Sequence, residues 1–299
     1  MLNAWIEGIG LLGPGLDGWP QALAVLRGEA GWAHAPAALP APELLPAAER
    51  RRASRIVKAT LAAGLQACRQ AGRDPASLPG VFASSGGDGH NCHAICELLA
   101  GEDRQVSPTR FHNSVHNAAA GYWSIATGAT PASQTLSAHD ASFAAGLLEA
   151  MAQVATGGQP VLLLASDSDH PEPLRACRPV PDASALALVL APAPGPCALA
   201  RLSLPCRGAL AEGVADTVQS VTARTDAALA ARLQALSSMA AALPPWLGLP
   251  LLAALAAPAA AGHTRPHVQP QAQPVALTYL PPQVLRVEIT PLAASPAAP

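Results

Sequence analysis

Between Ser137 and Ser142 the chain reads Ser-Ala-His-Asp-Ala-Ser, and these are the residue types whose spacing could do chemistry. The run Ala132 to Leu136 before them predicts a strand, and the alanine-rich run 141–157 after them predicts a helix. A strand, a sharp turn of small residues and a helix make an elbow. Such an elbow aims a side chain at the positive end of the helix dipole, where a thiolate or an oxyanion is stabilised. Yet the turn holds no cysteine, and the nearest in sequence are Cys96 and Cys177. Ser142 offers an alternative, a serine hydrolase, because a hydroxyl between a strand and a helix has the layout of a nucleophile elbow. Against it, Asp140 stands two residues before the serine where a glycine is wanted, and His139 and Asp140 are too close in the chain to complete a triad.

Other groupings invite site readings with plainer accounts beside them. His112 and His116 sit at i, i+4, a spacing that can clamp a metal, but Asn113 and Asn117 share those turns and no carboxylate lies nearby. A polar helix entry is the better reading. His90, Cys92, His93 and Cys96 form the densest cluster of soft ligands, although structural zinc sites draw their pairs from separate turns. No metal is expected. Gly86-Gly87-Asp88-Gly89 lacks a P-loop lysine and the spaced glycines of a dinucleotide site, so it reads as a tight strand-to-helix turn. Asp167 and Asp169 read as caps of the turn that follows them.

The elements that must position these residues follow from pattern. Strands are expected at 4–9, 79–84, 132–137, 160–166, 184–191 and 197–204, and helices at 20–27, 47–72, 90–100, 114–127 and 141–157. Helical pattern returns from Thr222 to Ala242, and 28–46, with four prolines, is a surface excursion. Alternating strands and helices argue for a layered α/β domain with helices on both faces. Pro258 to Gln273 and the stretch from Leu292 onward are rich in Pro, Ala and Gln and read as mobile. The uncharged segment around Leu243 to Gly262 has the length of a membrane span, but Pro244, Pro245, Pro250 and Pro258 interrupt it, so a packed helical hairpin is expected instead.

Composition narrows the function classes. A formal net charge of −2 with 13% charged residues gives no basic surface for nucleic acid. Aromatic residues are 3% of the chain, so the core must be built from Ala, Leu and Val. The opening MLNAWIEG has no basic stretch leading into an apolar core; the six cysteines are therefore read as reduced and cytoplasmic.

Several segments together resemble β-ketoacyl synthases. These are WIEGIGLLGPGLDGW, ERRRASRIVKATLAAGLQACRQAG, VFASSGGDG, FHNSVHNAAAGYWSIATG, PVLLLASDSD and SALALVLAP, covering Trp5 to about Ala191. FHNSVHNAAAGYW is the most specific of them. The chain is most similar to the chain-length-factor group of aryl polyene and type II polyketide systems. The resemblance implies a thiolase-like layered α-β-α fold, its N-terminal half in residues 1–204, followed by a divergent helical and Pro/Ala-rich region in 205–299. Catalytic members carry Thr-Ala-Cys-x-Ser-Ser at the elbow. Here the matching stretch starts at Ser137, so His139 takes the nucleophile's place and Asp140 follows it. An imidazole is a poor acyl carrier, because acyl-imidazoles hydrolyse readily. The family's two decarboxylating histidine motifs are missing too, since the only later histidines are His263 and His267, in GHTRPH.

By resemblance, then, the chain is a subunit without condensing activity of its own. It uses no cofactor and pairs with a catalytic ketosynthase, meeting the acyl carrier protein through that complex. Phe111, His112, Asn113, His116, Asn117, Ser137, His139 and Asp140 should border the pocket. Ser133, Gln134, Thr135, Leu136 and Ser137 should pair with the partner's strand across the interface, and the helix from Val115 to Ala126 should flank a tunnel. A residual condensing enzyme is the other alternative, and would show an acyl adduct by mass spectrometry.

Overall fold

The computed structural model of the chain describes residues 1–102, 104–205, 207–257 and 271–292. Its first half runs β1 (Leu2–Gly13), β2 (Leu16–Asp17), α1 (Trp19–Leu26), α2 (Ala47–Arg52), α3 (Arg55–Ala71), β3 (Gly80–Ala83), α4 (Gly89–Ala100), α5 (Pro108–His112), α6 (Ala118–Thr127), β4 (Ser133–Leu136) and α7 (Ser142–Gly157). Then come β5 (Val161–Asp167), α8 (Leu174–Cys177), β6 (Ser184–Ala191), β7 (Ala200–Leu204), β8 (Leu210–Glu212), α9 (Val218–Ala223), α10 (Ala227–Arg232), α11 (Gln234–Ala241), α12 (Leu249–Ala256), β9 (Gln273–Thr278) and β10 (Gln283–Pro291). All ten strands join one sheet, in the order β4-β3-β5-β6-β1-β7-β10, with β2 beside β1 and with β8 and β9 on β10.

Strict alternation in the central strands builds the layers. In β6, Ala185, Ala187 and Val189 face one core while Leu186, Leu188 and Leu190 face the other, and all eight residues are buried. A strand covered on both faces reads as a continuous apolar run for this reason. The small side chains turn toward α3 and α6, the large ones toward α7 and the helices of the C-terminal region. The layered α-β-α fold expected from the sequence is the observed one.

Small residues set how close α3 comes to the sheet. A Cβ added at Gly8 of β1 would lie 2.1 Å from the Ala67 carbonyl oxygen, and one at Gly10 would lie 1.8 Å from that of Ala63. The approach also lets Gln70 and Gln66 reach the sheet, where they accept from Ile9 N–H at 2.8 Å and Leu11 N–H at 3.0 Å.

Several boundaries differ from expectation. The long helix 47–72 is broken at Ala53 and Ser54, which are extended, so that Arg55 starts a new helix and reaches Asp169 at 2.6 Å and Asp182 at 2.5 Å. The helix expected over 114–127 starts at Ala118, behind a turn and the short α5. Thr222 to Ala242 divides among α9, α10 and α11. β8, β9 and β10 were not legible as strands, yet β10 pairs with β7 and completes the sheet.

Among the described residues no single helix is long and apolar enough to cross a membrane. The apolar segment of the C-terminal region instead bends by 120° between Gln234–Ala241 and Pro244–Ala256, and α12 is buried almost throughout. His263 and His267, with most of the Pro/Ala-rich stretches, lie outside the described residues.

Candidate functional site

The elbow forms where the sequence placed it. β4 ends at Leu136, a single 3-10 turn spans His139–Ala141, and α7 starts at Ser142. His139 sits at the apex with φ of 53°, the single non-glycine residue of positive φ among those described. Backbone strain of this kind is what a strand-to-helix elbow uses to push a side chain outward. The imidazole is accordingly 69% exposed.

What surrounds His139 is not a nucleophile's environment. The Arg178 guanidinium, from the loop after α8, contacts Nε2 of His139 and donates to Oδ1 of Asp140 at 2.8 Å. A guanidinium can only donate, so Nε2 accepts and its lone pair is occupied, with Nδ1 turned toward Asp140 Oδ2 at 3.4 Å. Sequence reasoning missed Arg178. No motif marks it, and only the fold brings the 170–180 loop to the elbow.

Ser142 closes the turn from within. It is 2% exposed; its hydroxyl donates to the His139 carbonyl at 2.7 Å and accepts from Ala138 N–H at 3.0 Å. Its proton and one of its lone pairs are used in holding the elbow's shape, an arrangement that does not favour the serine-hydrolase alternative. Two of the cysteines are poor thiolates. Burial pushes the Cys68 thiol up to about 12, and burial together with neighbouring Cys96 raises that of Cys92.

The FHNSVHN motif divides between two roles. Asn113 is buried, accepting from the Tyr122 hydroxyl at 3.1 Å and donating to the Arg52 carbonyl at 3.3 Å, so it ties α5, α6 and the end of α2 together. Phe111, His112, His116 and Asn117 are exposed. His112 ends α5 and His116 lies in the next turn, so the two never share a helix face. Among the described residues no group of three or more His, Cys, Asp or Glu side chains could hold a metal.

The Ser84 to Gly89 turn is sealed by a distant carboxylate. Asp167 accepts from the Ser84 hydroxyl at 2.8 Å and from Ser85 N–H at 3.0 Å, with Gly86 N–H at 3.4 Å. The donors that might cradle a phosphate in this turn are therefore consumed. Asp167 does not cap its following turn, as the sequence suggested, but braces one from β3. Burial pushes it up to about 6 against the pull of those donors. Asp169 pairs with His90 at 2.9 Å and with Arg55; burial raises it, but these two partners outweigh burial and hold it below the usual carboxylate range.

β4 is an edge. Among the described residues it pairs only with β3, in parallel, with Thr135 opposite Phe82. Gly80 and Ser84 N–H donate to the carbonyls of Ala132 and Leu136, so the even-numbered residues of β4 aim their backbone groups at β3. Ser133, Thr135 and Ser137 therefore aim theirs outward. Other surfaces also have little cover. α4 buries only Gly89, and Leu99, Phe111, Val115 and Ile125 are exposed, Phe111 by 69%.

Comparison with known proteins agrees with this architecture. The family model described as β-ketoacyl synthase, N-terminal domain, matches residues 26–243. Among solved structures, the complex of the ketosynthase ApeO with its chain length factor ApeC from Xenorhabdus doucetiae matches at 20% identity and a TM-score of 0.65, over 96% of this chain and 100% of that one. The ishigamide ketosynthase/chain length factor matches at 17% identity and 0.64, over 97% and 100%. A β-ketoacyl synthase from Burkholderia phymatum matches at 17% identity and 0.51, over 64% and 59%. No curated protein matches the sequence.

Proposed function

This chain belongs to the β-ketoacyl synthase family by its N-terminal domain, and from that premise we propose that it is a non-condensing, chain-length-factor-like subunit. It pairs with a catalytic ketosynthase in fatty-acid-like or polyketide assembly, aryl polyenes included, in the cytoplasm. One observation carries the reading: the apex of a fully formed elbow holds His139, whose Nε2 is taken up by Arg178, where acyl transfer needs a free nucleophile. Condensation also needs donors to stabilise the enolate of the second acyl group, and the histidine motifs that supply them in the family are absent from the sequence.

The outward-facing groups of Ser133, Thr135 and Ser137 support pairing, since an open strand edge is a template for another strand. Sparse cover on α4 and on Phe111, Val115 and Ile125 leaves further apolar side chains exposed, the kind of surface that marks a protein interface. Two of the folds it resembles are those of ketosynthase–chain length factor complexes, which supports the same assignment. The acyl carrier protein meets the assembly through the partner, and α6 flanks the tunnel for the growing chain.

Co-expression with ketosynthases encoded beside it, followed by size analysis, tests the proposal. A stable heterodimer, with no acyl adduct on this chain after incubation with acyl carrier protein, is the expected result. Elongation of malonyl thioesters by the chain alone would overturn it.

A further inference from the structure

A cleft of about 380 Å³ opens between the end of α2, the start of α3, the N-terminus of α4 and α5, with Arg52, Arg55, His90, Arg110, Asn113 and Ser168 among its walls. Its volume falls in the range of small-ligand sites. The hydrogen-bonding groups of this cleft are unevenly used. Both oxygens of Asp169 are taken, by Arg55 and by His90. Arg55 gives its Nε proton to Asp169 and one Nη2 proton to Asp182. One oxygen of Asp88 caps α4 through Asn91 N–H at 3.0 Å; the Asn91 side chain donates to the Arg110 carbonyl, and both ends of the Asn113 amide are occupied.

The donors, by contrast, lack acceptors. Ser168 is 2% exposed and its hydroxyl has no partner, a costly state for a buried polar group. The Arg110 guanidinium and the Ser54 hydroxyl make no hydrogen bond to any described residue, and among those residues the Arg52 guanidinium bonds only to Glu49, at 3.3 Å on the surface. Ser168 at the end of β5, Ser54 at the start of α3, Arg52 of α2 and Arg110 of α5 all line this cleft, where one oxygen of Asp88 carries no hydrogen bond from a described residue.

We propose that this cleft binds a phosphate-class anion, held by Arg52 and Arg110 and seated on Ser168 and Ser54. A tetrahedral oxyanion presents acceptors in every direction, which suits donors converging from several sides; a planar carboxylate has only two oxygens to offer. Arginine is the residue suited to such binding, because its planar fork keeps its charge and directs several N–H groups. The protonated oxygen of a monohydrogen phosphate meets Asp88. The lining of this cleft includes no residue of the Ser137–Ser142 turn or of β4.

The test is calorimetric titration of the full-length chain with inorganic phosphate, with ethyl phosphate and with acetate. Inorganic phosphate or its ester is expected to bind and acetate to bind at least about tenfold more weakly. Tighter binding of ethyl phosphate would identify the ligand as a phosphate monoester, and the reverse order as free phosphate. Arg110→Gln is expected to weaken phosphate about tenfold or more, and Ser168→Ala several-fold without lowering the melting temperature, since it removes an unpartnered hydroxyl. Arg232→Gln, which changes net charge equally at a distant arginine bonded to the Gly28 carbonyl, is expected to change nothing. Equal loss in the Arg110 and Arg232 variants, acetate binding as tightly as phosphate, or no binding of either phosphate, overturns the proposal.

Discussion

Helices α3 and α4 are both rich in small and apolar residues, yet they meet opposite fates. α3 buries ten residues, packs its Ala63 and Ala67 backbone onto Gly10 and Gly8, and sends two glutamines into the sheet. α4 buries only its first glycine. A chain that can saturate one helix so completely leaves the other uncovered, and leaves the β4 edge open as well. The contrast teaches that α4 and the β4 edge are unfinished surface, while α3 on the interior strand β1 is finished core.

The comparison breaks first at the close contact. Gly10→Val places a side chain where the Ala63 carbonyl already lies, and should cost on the order of 3 kcal/mol or more, read as loss of soluble protein or a large fall in melting temperature. At the open end, Thr135→Pro deletes an N–H that points away from β3. It should abolish co-purification with a ketosynthase while the monomer stays folded, whereas a collapse of the monomer would show that the edge is not spare.

A subtler effect concerns the braced turn. The folded-state value of Asp167, about 6, lies above the unfolded carboxylate value near 3.8. The folded state therefore binds a proton that the unfolded chain does not hold in that window. Stability contributed by this group should rise as pH falls from about 6 toward 4, by on the order of 2 kcal/mol, and be lost as pH rises through 6. Denaturant unfolding across pH 4–7 should show this increment in the wild type and not in Asp167→Asn. Smallest of all, Ser142→Ala removes an internal hydrogen-bonded hydroxyl, costing about 1 kcal/mol in thermal unfolding. No fluorophosphonate label should attach to Ser142 in the parent protein.

Legibility followed the range of the interactions. β5, β6 and α7 stood out because their periodicity is written within a few residues, and the elbow could be located by the strand and helix that flank it. β10 does carry a local signal, the alternation of Leu285, Val287 and Ile289 with Arg286, Glu288 and Thr290, but the prolines at Pro281, Pro282 and Pro291 that bound it and β9 obscured both strands, and pairing with β7, β8 and one another places them. The start of the helix expected over 114–127 moved to Ala118 for a similar reason: α5 ends at His112, and Asn113 is tied to Arg52 and Tyr122 across the fold. Arg178 had no signal at all.

By itself the sequence determined that a layered α/β domain would form, with a histidine at the turn between a strand and an alanine-rich helix and no thiol to replace it. Those features depend on neighbours in the chain, on side-chain periodicity and on residue identity. Only the tertiary structure decided that Arg178 would occupy the imidazole, that Asp167 would seal the 84–86 turn, and that Thr135 would face outward. Each of these depends on strand register and on which segments meet across the sheet, and those are set by packing the whole core at once.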